Sequence, residues 1–114
     1  MTPSTSSGQR FVRACALADL KADSALAVEV DGEDVAVVRS GDDYYAIADL
    51  CSHAAVPLSE GDVEDGEIEC SLHGSRFDLR TGKPTGLPAT QPVAVYAVRV
   101  EGDDLLVDVT SPTN

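Results

Sequence analysis

Leu26-Ala27-Val28-Glu29-Val30 leads into Asp31-Gly32-Glu33, then Val35-Ala36-Val37-Val38-Arg39, Ser40-Gly41-Asp42-Asp43 and Tyr44-Tyr45-Ala46-Ile47-Ala48. Short runs rich in Val, Ile and Tyr alternate with turn residues about every ten positions, an all-β pattern. Asp31-Gly32 suits a tight hairpin, because both residues tolerate the positive φ such turns require. Working outward, Arg10 to Ala16 predicts a first strand, with a turn at Leu17-Ala18-Asp19-Leu20. Val93 to Val100 and Leu105 to Val109 predict the last two strands, joined through Glu101-Gly102-Asp103-Asp104. No helical periodicity persists for more than a turn or two.

The meander is interrupted between Asp49 and Pro84. Leu58 to Gly66 reads as polar and turn-rich, and Ile68-Glu69-Cys70 as a short strand. Ser75-Arg76-Phe77-Asp78 alternates, and Arg80-Thr81-Gly82-Lys83 closes a turn. Gly86-Leu87-Pro88 and Gln91-Pro92 read as extended connectors. The expected organisation is a disordered tail over 1–9 and one domain over 10–110. Within it, an antiparallel β-sandwich or barrel base carries an inserted ligand-bearing lobe at about 49–84.

That lobe holds Cys51-Ser52-His53 and Cys70-Ser71-Leu72-His73, with both histidines of the chain and two of its three cysteines. Each loop offers one thiolate and one imidazole, which suits a small inorganic centre. Structural zinc accepts two cysteines and two histidines, but its usual pairs are alike, Cys with Cys and His with His. A mononuclear iron or copper site leaves the doubled mixed loop unexplained. A [2Fe–2S] cluster with two cysteines on one iron and two histidines on the other explains it, since each loop then serves both irons.

On Cys51-Ser52-His53, Cys70-Ser71-Leu72-His73-Gly74, their spacing and the β-rich flanks, the chain resembles the Rieske family from about Phe11 to Val109. The resemblance implies the Rieske iron–sulfur-protein fold and a [2Fe–2S] cluster. Cys51 and Cys70 would hold the inner iron, and His53 and His73 the outer iron near the surface. Replacing half the thiolates by neutral imidazoles lowers the cluster's negative charge and raises its potential above plant-type ferredoxins.

Respiratory members of the family carry an extra cysteine in each loop, joined as a disulfide. Val56 and Leu72 stand at those places. They also carry a Ser and a Tyr whose hydroxyls hydrogen-bond the cluster sulfurs. Ser75 matches the first, whereas Phe77 replaces the Tyr and removes one donor, which lowers the potential. Gly74 would permit close backbone approach to the cluster. The resemblance therefore points to the soluble Rieske ferredoxins that serve biphenyl- and phenylpropionate-type aromatic-ring dioxygenases. It implies a monomeric one-electron carrier between a flavoprotein reductase and a non-haem iron oxygenase. A small subunit of a nitrite-reductase-like enzyme would keep the fold, but many of those lack the ligands that are all present here; a cluster-bearing accessory in iron–sulfur assembly or redox sensing would use the same site.

The remaining features set bounds. The 114 residues carry twenty acids, eight bases and a net charge of -12, which argues against a nucleic-acid face or adhesion to an anionic membrane. Glu60, Asp62, Glu64, Asp65, Glu67 and Glu69 lie between the two ligand pairs with no base among them. They read either as a docking face for a basic partner or as a solvated loop. Arg76, Arg80 and Lys83 are positioned to pair with them. No apolar run is long enough to span a membrane, and Met1 to Gln9 lacks signal-peptide character, so a cytoplasmic protein is expected. Cysteines there are metal ligands or free thiols, and Cys15 reads as a small packed residue. With both histidines committed to iron and no glycine-rich nucleotide fingerprint, no catalytic residue is expected.

Overall fold

The computed structural model describes residues 10–50, 56–71, 74–86, 91–110 and 112–113. The strands among them are β1 (Val12–Ala16), β2 (Ser24–Val30), β3 (Glu33–Ser40), β4 (Asp43–Ala48), β5 (Asp62–Glu64), β6 (Glu67–Glu69), β7 (Arg76–Asp78), β8 (Pro84–Gly86), β9 (Val95–Glu101) and β10 (Asp104–Asp108). Short 3-10 turns occupy Leu17–Asp19 and Leu58–Glu60. The all-β expectation holds, and no helix among the described residues is long and apolar enough to cross a membrane. The expected tail over 1–9 lies outside the described residues.

Six strands form one antiparallel sheet in the order β1-β10-β9-β4-β3-β2, with β1 and β2 approaching each other so that the barrel nearly closes. The hairpins are those the turn residues dictate. β2 and β3 pair in unbroken register from Ser24↔Arg39 to Val30↔Glu33. Asp31 and Gly32 supply the two left-handed residues of the turn, at φ 50 and 83.

The second sheet, β5-β6-β7-β8, covers one outer face of the barrel. Its placement explains why β3 carries a continuous apolar run. Val35 and Val37 point into the barrel with Cys15, Leu20, Val30, Ala46, Tyr96, Leu105 and Val107. Ala36 and Val38 point the other way, into a second core with Ile47, Leu58, Ile68, Cys70, Phe77, Leu79, Val93 and Val95. All four residues of the run are fully buried, which matches a strand covered on both faces. Each buried valine contributes roughly 1.5–3 kcal/mol. Neighbouring residues of β4 (Ala46, Ile47) and of β9 (Val95, Tyr96) divide between the two cores in the same way.

Three segments differ from the sequence expectation. Leu58 to Gly66 is not turn alone, since it contains β5. The three-residue strand has one apolar side chain, Val63, between two acids, too little alternation to register locally. Gly86, expected to open an extended connector, is the last residue of β8 (Pro84–Gly86); proline is tolerated there as the first residue of an edge strand. The strand expected from Val93 begins at Val95.

Cys15 is buried in the barrel core and free, as a packing residue should be. Burial above all, with Asp19 and Asp104 adding to it against Arg13, pushes its thiol pKa up, so it stays unreactive. Asp108 joins the two ends of the described chain. It accepts hydrogen bonds from the backbone N–H of Arg10 (3.0 Å), the backbone N–H of Thr110 (2.8 Å) and Thr110 Oγ1 (2.5 Å). Burial alone would raise its pKa, but these bonds outweigh it and hold the carboxyl below the usual aspartate range.

Candidate metal centre

β6 delivers Cys70 and β7 leaves from Ser75, so the second ligand loop joins two paired strands. Its base is closed by two backbone bonds. Cys70 N–H donates to Ser75 C=O (2.6 Å), and Gly74 N–H donates to Cys70 C=O (3.1 Å). Gly74 adopts φ 75, a left-handed conformation that glycine takes at little cost. Cys70 is only 2% exposed, free of any disulfide, and set in the core beneath the small sheet. Ser75 is fully buried, as is Phe77, which pairs with Ile68 across β6 and β7.

The first loop leaves β4 through Asp49 and Leu50 and returns at Val56. Val56, at the place of the respiratory cysteine, packs on the same core as Cys70. Leu58 is fully buried there. Asp49, itself 9% exposed, reaches across the base of the loop. Its Oδ1 accepts from Ser59 N–H (2.7 Å) and its Oδ2 from Ser59 Oγ (2.8 Å). Two residues further on, Gly61 lies against the backbone of Glu69. A Cβ at Gly61 would stand 1.8 Å from the Glu69 carbonyl oxygen, where no side chain fits.

Cys51, His53, Leu72 and His73 lie outside the described residues, so Cys70 is the described member of the expected quartet. Among the described residues no three His, Cys, Asp or Glu side chains converge as a metal site. The described part fits a cluster ligand. A free thiol is buried in an apolar setting, on a loop whose base is fixed by backbone hydrogen bonds, and Val56 offers no sulfur for a disulfide.

The acidic stretch is a sheet face. Asp62 pairs with Glu69 and Glu64 with Glu67 across β5 and β6, so like charges stand opposite each other, a destabilising arrangement. Arg76 relieves part of it, through Nε to Glu67 (2.9 Å) and a terminal guanidinium nitrogen to Glu64 (3.8 Å). Of the three bases expected to pair with these acids, Arg76 alone does so among the described residues. A surface cleft of about 450 Å³ lies at the far end of the β5–β6 hairpin from Cys70, around Asp23, Asp43, Asp65 and Gly66.

Asp49, Leu58, Ser59 and Gly61 escaped the sequence reading. The contacts that give them their roles, Asp49 with Ser59 and Gly61 with Glu69, span ten and eight positions, so no local pattern marks them. Gly61 carried one usable hint. Unlike Gly66, it follows no turn-forming Asp, and a lone glycine before a strand can mark close backbone approach.

The Rieske [2Fe–2S] domain matches residues 10–97. The ferredoxin component of biphenyl 2,3-dioxygenase from Rhodococcus jostii (strain RHA1) is 42% identical over 87% of this chain and 92% of its own length. The ferredoxin of carbazole 1,9a-dioxygenase from Nocardioides aromaticivorans IC177 shares 50% identity and superposes with a TM-score of 0.79, covering 85% of this chain and 95% of that one. A complex of reduced oxygenase and oxidised ferredoxin in carbazole 1,9a-dioxygenase contains a chain that is 35% identical, with a TM-score of 0.81 over 89% of this chain and 94% of that one. With the fold, the buried free cysteine and these likenesses in agreement, this chain belongs to the Rieske [2Fe–2S] domain family.

Proposed function

We propose that this protein is the ferredoxin of a multicomponent aromatic-ring dioxygenase, carrying one electron at a time from a flavoprotein reductase to a non-haem iron oxygenase. The observation that carries the proposal is the 42% identity to such a ferredoxin over 92% of that relative's length. The bound cluster supplies reversible one-electron chemistry at a potential above that of all-cysteine clusters. Cys51 and Cys70 would hold one iron of the cluster, and His53 and His73 would hold the other.

The chain's own residues do three things. The base of the second loop, tied at Cys70, Gly74 and Ser75, would hold the Cys70 ligand in place, which limits the reorganisation that opposes electron transfer. The apolar core around Cys70 excludes water from the inner side. The acidic face of β5 and β6 steers a basic partner surface toward the loops. The small sheet and the segments flanking it form a lobe from about 49 to 84 on a single domain spanning 10–110. The protein works as a monomer in the cytoplasm, without a catalytic site of its own.

Replacing His53 or His73 by Ala should abolish the visible Rieske absorption and the reductase-driven reduction of cytochrome c. Wild-type cytochrome c reduction by either variant would refute the assignment.

A further inference from the structure

We propose that Asp49, Ser59 and Gly61 are positioning residues that hold the first ligand loop at a fixed separation from the second. The inference rests on the reading that both loops bind one cluster. Each loop then supplies one ligand to each iron, so the distance between their bases matters as much as the shape of either.

Three contacts set that distance. Asp49 is the second residue before Cys51, and both its carboxylate oxygens are taken by Ser59, through the backbone N–H (2.7 Å) and the hydroxyl (2.8 Å). The segment 50–58 therefore begins and ends at one clamped pair. The Asp49 backbone N–H donates to Asp34 C=O at the start of β3 (3.1 Å), so the clamp is anchored to the barrel and does not float with the loop. Gly61 N–H then donates to Leu58 C=O (2.9 Å), which turns the chain so that Gly61 meets Glu69, the residue preceding Cys70.

The Gly61 contact admits no substitution. Its φ of -88 is open to any residue, so backbone conformation does not demand glycine here. Contact does, because an added Cβ would lie 1.8 Å from the Glu69 carbonyl oxygen and 2.9 Å from its carbonyl carbon. Backbone cannot yield as a side-chain tip can. An alanine must push the exit of the first loop away from Cys70, or push Cys70 itself. Leu58, next to Ser59 in the chain, is fully buried in the core that holds Cys70. Asp49, Ser59, Leu58 and Gly61 together form a strut from β4 to Cys70.

The test uses the full chain with its cluster in place. Asp49→Ala should broaden the EPR signal of the reduced protein and bleach the visible band about tenfold faster in the presence of a chelator, the range seen when groups behind metal ligands are removed. Asp49→Asn keeps an oxygen for the Ser59 N–H and should restore most of the lifetime. Gly61→Ala should shift the g-values, because it alters separation and not hydrogen bonding. Gly102→Ala, in the β9–β10 turn with open space around its Cβ position, should lower Tm through its positive φ and leave the signal unchanged. Should Gly61→Ala fail to fold, the Asp49 pair decides alone. A wild-type signal and bleaching rate in folded Asp49→Ala protein would overturn the proposal even if Tm falls. Absence of any Rieske signal from the wild-type protein would instead overturn the assignment of the cluster.

Discussion

Leu58→Ala and Leu105→Ala make a matched pair. Both leucines are fully buried, one in the core beneath the small sheet with Cys70 and the other in the barrel core. Truncating a fully buried leucine costs about 3 kcal/mol, within a range of roughly 2.7–5 kcal/mol set by how far the cavity collapses. For a chain near 100 residues each kcal/mol lowers Tm by about 4 °C, so both variants should melt about 12 °C lower. Circular dichroism at matched scan rates reads that loss. The variants should separate in cluster retention. Loss through global unfolding accelerates equally in both, whereas loosening next to Cys70 acts only in Leu58→Ala. Followed by visible absorption at 25 °C with a chelator, Leu58→Ala should bleach about tenfold faster than Leu105→Ala, the lower end of the range for disturbed ligand surroundings. Equal bleaching rates at equal Tm would refute the idea that the second core supports the centre separately from the barrel.

Three other outcomes follow from the same contacts. Phe77→Tyr should raise the reduction potential by about 20–65 mV, the one-electron equivalent of a hydrogen bond worth about 0.5–1.5 kcal/mol, as read by redox titration. An unchanged potential with a lowered Tm would place the new hydroxyl in the core and not at a sulfur. Because hydrogen bonding holds the Asp108 carboxyl below its ordinary pKa, its contribution to stability is present above the ordinary aspartate range near 4 and fades as pH falls through the depressed folded value. The Tm gap between wild type and Asp108→Asn should thus be widest at pH 6–7 and narrow below about pH 4, and a gap that widens on acidification would contradict this. The net charge of -12 predicts that electron delivery to the oxygenase slows about tenfold as ionic strength rises from about 20 to 500 mM, in stopped-flow traces. A rate indifferent to salt would leave the acidic face as a solvated surface.

The barrel was legible because its strands are long and their hairpins carry turn residues with one favoured geometry. Asp31-Gly32 marked the β2–β3 hairpin, and Val35 to Arg39 read as its return strand, although its burial on both faces emerged only from the structure. The small sheet was half legible. Ile68 and Phe77 alternate with polar neighbours, but β5 has only Val63 to show, and β8 is written in Pro84, Thr85 and Gly86, residues that ordinarily end strands. These strands exist because tertiary packing on the barrel overrides their weak local preference. At the site, the ligand pattern and Gly74 stood out in the chain, while the Asp49–Ser59 clamp and the Gly61–Glu69 approach did not. A carboxylate ten residues from its partner leaves no periodic trace, and a glycine required by contact resembles a glycine required by nothing.

The central claim is that two mixed Cys–His loops hold one [2Fe–2S] cluster, and the most direct measurement is metal and sulfide analysis combined with EPR of the dithionite-reduced protein. The account predicts two irons and two acid-labile sulfides per chain, as the Rieske [2Fe–2S] domain requires, with the rhombic signal and lowered average g of histidine-ligated clusters. Zinc without labile sulfide, or the spectrum of a cluster ligated by cysteine alone, would contradict it.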